Sequence, residues 1–300
     1  MNSDNVNYEG DNVIMSPISV NVDDDLVQIF HGNGKIIDES LCSVNCGHKL
    51  VDNIELFINN MNERYNFIEV ERILKETIGK YAIMGGSILS CMHTEPFVDL
   101  PEFGKSDLDI FTNVYADNFI RYLENNKIPY AEIRTHGDAM IDVTTVSVYF
   151  GTFTADEYER YSNKTLYATD EYRTIMTSEK SVHLQFIQIA EDVTYRDVLS
   201  DFDLSCCRWM LINDDINNRR HVYATRRALV DIITSSTTIK YDTALNSLMK
   251  SYVMSRIKVD EGKDSVCDGW VKSKRRTRVK KYERRGFKLC YDDDYVNVML

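Results

Sequence analysis

Asp107 and Asp109 stand two residues apart in "GKSDLDIF", residues 104–111, inside an otherwise apolar run. Alternate side chains of a strand share a face, so both carboxylates point one way while Leu108 and Ile110 point the other, into a core. Two like charges this close repel each other unless a cation sits between them. Carboxylate oxygens are hard ligands that suit Mg²⁺, which takes one or two carboxylates together with substrate phosphates. A pair on one strand can bridge two metals about 3.5–4 Å apart, the arrangement used for in-line phosphoryl or nucleotidyl transfer. Alone, the pattern is more often an exposed strand face.

A second motif lies upstream, in "IMGGSIL", residues 83–89, with twenty residues from Ser87 to Asp107. Gly85 and Gly86 carry no Cβ, so their amides can approach a phosphate closely. "SILSCM" can open a helix with Ser87 near its start, where unpaired N–H groups and the positive dipole end favour an anion. The Ser87 hydroxyl adds a further donor for a triphosphate. A strand, a Gly-Gly-Ser turn, a helix and then Asp-x-Asp on the next strand is a much rarer conjunction than either motif alone.

"MGGSIL" followed by "SDLDIF" resembles the DNA polymerase β-type nucleotidyltransferase superfamily, which includes poly(A) polymerases and CCA-adding enzymes. The resemblance implies a mixed β-sheet with flanking helices and a triphosphate held by Gly85, Gly86 and Ser87. It also implies Mg²⁺ or Mn²⁺ on Asp107 and Asp109 and transfer of a nucleoside monophosphate from an NTP. The superfamily needs a third carboxylate on a strand next to the Asp-x-Asp strand. Asp203, at the head of "FDLSCCRWML", is the expected third ligand, and Asp142 is the alternative. "VHLQFIQI", residues 182–189, looks like the right strand but offers His183 and Gln185 instead of an acid. A neutral amide there binds Mg²⁺ more weakly, and a catalytically inactive binding or scaffolding protein is the rival reading. "HTEPFVDLPEFGK" makes the gap between the motifs longer than is usual for the superfamily. "FDLSCC" with the later "KKYERRGF" also looks like a poorly characterised group in large DNA viruses and fungi.

Net charge is −12, which argues against a nucleic-acid binder, but the charge is unevenly spread. Residues 271–288 hold ten basic side chains and one acid, with Tyr282 and Phe287 interleaved. Basic groups can track phosphates and aromatics can stack on bases, so this segment is the expected RNA contact, and an RNA 3′ hydroxyl the expected acceptor. Arg226 and Arg227, at the start of another helix, are read as ordinary surface pairing, with contact to substrate phosphates as the lesser alternative. "HGNGK" lacks the spacing and the Ser/Thr of a phosphate-binding P-loop. Cys42, Cys46 and His48 lack a fourth metal ligand at usual spacing. Seven cysteines at irregular spacing read as reduced thiols, and hence as a cytoplasmic setting. No apolar run is long enough for a membrane span.

These motifs need elements to hold them. Residues 1–27 contain six acids and no Lys or Arg, and read as a flexible acidic tail. Ile54, Phe57, Ile58, Met61 and Tyr65 follow helical spacing, as do Val70, Leu74 and Ile78, with a break near Asn66. "YAIM" reads as a short strand; Phe119, Ile120 and Leu123 mark a helix; Val146, Val148 and Phe150 alternate as in a strand. "VHLQFIQI" and "FDLSCCRWML" read as two buried strands, neighbours or near neighbours in the sheet. A helix starts near Thr225, and Leu245, Leu248, Met249 and Tyr252 mark another. The order favours α+β over a doubly wound sheet. The expected division is a nucleotidyltransferase-like core over 28–235, with a helical, basic C-terminal region over 236–300.

Overall fold

The computed structural model describes residues 25–43, 47–97, 106–136, 142–151, 181–191, 193–214, 219–239 and 276–291. The acidic tail up to residue 24, Cys46, the stretch 98–105, the Tyr-rich segment 152–180 and the helix expected from Leu245 lie outside these residues.

The elements in chain order are β1 (Leu26–Gln28), α1 (Ile54–Tyr65), α2 (Phe67–Thr77), β2 (Ala82–Met84), α3 (Gly86–Met92), β3 (Leu108–Thr112), α4 (Asp117–Asn125), β4 (Tyr130–His136), β5 (Asp142–Tyr149) and β6 (Ser181–Gln188). There follow α5 (Tyr195–Ser200), a 3₁₀ turn (Ser205–Cys207), β7 (Trp209–Asp214), β8 (Arg219–Thr225), α6 (Arg226–Thr234) and β9 (Ser236–Ile239). A helix over 276–284, α7, precedes β10 (Lys288–Tyr291).

Eight strands form one mixed sheet in the order β1-β8-β7-β2-β3-β6-β5-β4, in which β3 and β6 are the parallel pair. The fold is therefore α+β with a large mixed sheet. The sheet takes in Leu26 and Val27, which pair with Thr225 and Ala224, so the boundary expected at residue 27 falls inside β1. The C-terminal region is not purely helical: β9 and β10 pair in parallel as a separate ribbon.

Strand alternation sorts the side chains. Ile83, Leu108, Ile110, Leu184, Phe186 and Leu211 enter the main core with α1–α4, whose Phe57, Phe67 and Phe119 are fully buried. Each such side chain contributes about 1.5–3 kcal/mol by leaving water. Ala82, Met84, Phe111, Ile187 and Met210 face the other way, toward Val198 and Leu199 of α5. Asp107 and Asp109 alternate with the core residues and therefore belong to this second face.

The break between α1 and α2 falls on Asn66, in the left-handed conformation at φ 46°. Asn tolerates that region because its short polar side chain can hydrogen-bond locally. The helix starting near Thr225 is α6, and Thr225 caps it by accepting from the Ala228 amide.

One expectation for "FDLSCCRWML" is corrected. Ser205–Cys207 form a 3₁₀ turn, and the strand begins only at Trp209. The turn is fixed from outside: Ser205 Oγ donates to Asp231 and accepts from the Thr238 amide at 2.8 Å. β6 and β7 lie in the same sheet, with β3 and β2 between them.

Candidate nucleotide and metal site

β2, α3 and β3 bring the two motifs together. Met84 pairs with Asp109 across antiparallel β2 and β3, so the turn that follows Met84 opens beside that carboxylate. Gly85 has φ 99°, a conformation L side chains rarely adopt. A Cβ on Gly85 would stand 3.2 Å from the Phe202 ring and 3.4 Å from Asp109 Oδ2. The Gly85 amide donates to Trp209 O at 2.9 Å, which ties the turn to β7. α3 is anchored behind the site: Asn60 Nδ2 donates to the Cys91 and His93 carbonyls, and Arg64 Nη1 donates to Ser90 Oγ. Buried amide groups satisfied in this way fix the helix relative to α1.

Asp107 is exposed, whereas Asp109 is partly covered. Burial, and then the Asp107 charge, push the Asp109 carboxyl up to about 7, against the opposing pull of Arg278 and Lys281. A bound divalent cation relieves such repulsion, so this pair of oxygen donors fits one metal shared with substrate phosphates.

Along the same row of the sheet, the partners of Asp109 are Met84 on β2 and Gln185 on β6, and Gln185 in turn pairs with Thr145 on β5. The strand next to the Asp-x-Asp strand thus carries an amide level with Asp109. Val143 pairs with Ile187, which puts Asp142 level with the far end of β3. Asp203 sits not on a strand but in the loop after α5. It is buried at 6% exposure, and its Oδ1 accepts from Arg278 Nη1 at 2.6 Å. Its Oδ2 makes no hydrogen bond. Among the described residues, no three His, Cys, Asp or Glu side chains form a group that could hold a metal ion. The donor set does not match two metals held by three carboxylates.

The missed feature is α7. It packs onto the turn, with the buried Tyr282 hydroxyl against Gly86. Lys281 Nζ donates to Ser106 Oγ at 3.0 Å, next to Asp107 in the chain. Arg278, Lys281, Tyr282 and Arg285 engage the rest of the fold, Arg278 while its side chain stays exposed, and Arg276, Lys280 and Arg284 are exposed as well. The i, i+3, i+4 and i+7 spacing is readable as one helix face, but the position of that face over the Gly-Gly-Ser turn is not.

The remaining candidates are structural. Arg227 is buried and donates from Nε to Asp231 Oδ1 at 3.1 Å, while Arg226 pairs with Asp25 at 3.7 Å. Cys42 Sγ donates to Val51 O at 3.6 Å, and His48 stacks on Phe287 with centroids 4.1 Å apart. Cys42, Cys91, Cys206, Cys207 and Cys290 carry thiols, with no disulfide among them. Among the described residues, no helix is long and apolar enough to cross a membrane.

No protein-family model and no curated protein sequence matches this chain.

Proposed function

We propose that this chain is a nucleotidyltransferase-type protein that binds an NTP with Mg²⁺ or Mn²⁺ and moves a nucleoside monophosphate to an acceptor hydroxyl, releasing pyrophosphate. The observation that carries this reading is the Met84–Asp109 pairing, which sets the Gly85–Ser87 turn against a carboxylate raised by burial and by its Asp107 neighbour. Asp107 and Asp109 hold the metal, which supplies the positive charge that a transferring phosphoryl group needs. The Ser87 hydroxyl, buried without a hydrogen bond, is a donor for a phosphate oxygen at the turn formed by Gly85 and Gly86. An RNA 3′ hydroxyl is the favoured acceptor, because Arg276, Lys280 and Arg284 form an exposed basic stripe beside the site. A cytoplasmic setting agrees with the thiols.

The non-catalytic reading is favoured by Gln185, which stands where the superfamily resemblance calls for an acid, and by the engagement of Asp203 with Arg278. One experiment separates the two. Pure protein is incubated with labelled NTPs, Mg²⁺ or Mn²⁺ and mixed RNA, and nucleotide binding is measured alongside. Label at RNA 3′ ends is expected. Metal-dependent NTP binding with no label in any acceptor overturns transfer in favour of a binding module.

A further inference from the structure

We propose that Arg278 and Lys281 form a phosphate clamp, through which the C-terminal helix α7 contributes directly to the nucleotide site; the assignment rests on the NTP-binding reading above. The two side chains are three residues apart on α7 and so share a face. That face is seated by Tyr282, 3% exposed, against Gly86 of the turn. Arg278 donates from Nη1 to Asp203 Oδ1 at 2.6 Å, yet its side chain stays 44% exposed. A guanidinium has five N–H donors in a rigid fork, so one bond to a carboxylate leaves donors in a geometry that suits phosphate. Lys281 reaches Ser106 Oγ at 3.0 Å, and its charge, like that of Arg278, acts on Asp109.

Two cations of one helix face thus lie near the Asp-x-Asp strand, Lys281 on the residue before Asp107 and both acting on Asp109. A second observation points to a ligand at the same place. The Ser87 hydroxyl, a donor, is 2% exposed and makes no hydrogen bond. Buried polar atoms are rarely left so unless a ligand or water completes them. When Asp107 and Asp109 take a divalent metal, the attraction that holds Arg278 and Lys281 toward them is neutralised, and the phosphate oxygens on that metal become their natural partners. The chemistry recognised is a polyphosphate chain. Two of the basic residues expected to meet RNA are thereby assigned to the nucleotide.

The test is calorimetric titration of the full chain with inorganic tripolyphosphate in Mg²⁺, at fixed salt. Lys281→Gln is expected to weaken binding about tenfold, the usual worth of one charge-assisted hydrogen bond. Arg278→Gln is made together with Asp203→Asn, so that no carboxylate is left buried and unpaired, and is expected to weaken binding at least as much. Lys280→Gln, on the outward face, should change it by less than about twofold. Unchanged affinity in the inward variants, or no binding by the wild-type chain, overturns the clamp. Tighter binding in Lys281→Gln overturns it too, because α7 would then be excluding the anion. Tripolyphosphate binding abolished in these variants, with no label transfer by the wild type, keeps the clamp and rejects the transferase. Transfer at an unchanged nucleotide KM in Lys281→Gln does the reverse.

Discussion

Asp109 and Gln185 lie side by side on the parallel strands β3 and β6, on the face of the sheet that also carries Asp107. A neutral amide beside a carboxylate lowers the charge available to a second metal, and this pairing sets the first prediction. Asp107→Asn and Asp109→Asn should each reduce label transfer by at least about a hundredfold, since a charged ligand to the metal is removed. Apo stability should hold or rise, because Asp107 and Asp109 repel each other. Gln185→Asp should tighten Mn²⁺ binding in the same assay. Wild-type turnover in both Asn variants would remove these residues from the chemistry.

Gly86 and Tyr282 give a second test. A Cβ on Gly86 would overlap the Tyr282 hydroxyl, while the ring carbon bearing it lies at an ordinary 3.5 Å. Gly86→Ala should destabilise the chain by about 1–3 kcal/mol, the usual range for overpacking. Adding Tyr282→Phe removes the clashing oxygen and should recover most of that stability. A double-mutant cycle by denaturant unfolding reads the coupling. Additive effects would show that α7 does not rest on the turn.

Much of this arrangement is legible in the sequence wherever the signal is local. The α1–α2 break at Asn66, the strand after Tyr81, the strand with Leu108 and Ile110 facing inward, and the Thr225 cap all follow from periodicity or cap chemistry within a few residues. "FDLSCC" misleads because an apolar run of that length fits a strand as well as a turn. What decides it is the bonding of Ser205 to Asp231 and Thr238, 26 and 33 residues away. Gln185 is recognisable as the wrong residue type for a metal ligand, but its level beside Asp109 is a matter of strand register, which pairing sets. The seating of Lys281 near Ser106 spans 175 residues and leaves no local pattern.

The outward face of α7 carries the third prediction. Arg276, Lys280 and Arg284 are exposed at i, i+4 and i+8. Replacing all three by Gln should weaken RNA binding and flatten its salt dependence by about 0.7 in log–log slope for each phosphate no longer neutralised. The melting temperature should hardly move, since surface substitutions of this kind usually shift stability by less than about 0.5 kcal/mol. An unaltered slope would assign the stripe to a partner other than RNA, or to none.

The last prediction concerns pH. His93 is 4% exposed, and its Nδ1 lies 2.8 Å from Leu89 O, a pure acceptor, so Nδ1 carries the proton and Nε2 the lone pair. Burial, opposed by the Leu89 hydrogen bond and reinforced by His48 and Arg285, holds this imidazole down to about 3. Burial also lowers His48, which stacks on Phe287 just before β10. An unfolded histidine takes its proton near 6.5, so between that value and about 3 the unfolded chain binds more protons than the native one. His93 therefore contributes stability that is present above about 6.5 and declines as pH falls, by about 1.4 kcal/mol per pH unit. Asp109 and Asp231, raised to about 7 and about 6, act with the opposite sign, because native protonation stabilises as pH falls below those values. The total curve thus mixes both effects, and the histidine is isolated by difference. The stability gap between wild type and His93→Asn should narrow by about 1.4 kcal/mol for each pH unit between about 6 and 4, measured by urea unfolding. Protection factors for amide exchange in residues 276–291 of the wild type, taken against the intrinsic rate at each pH, should fall over the same interval, because this face of the core holds β10 and α7. Parallel stability curves for the two proteins would show that His93 is not kept neutral by burial.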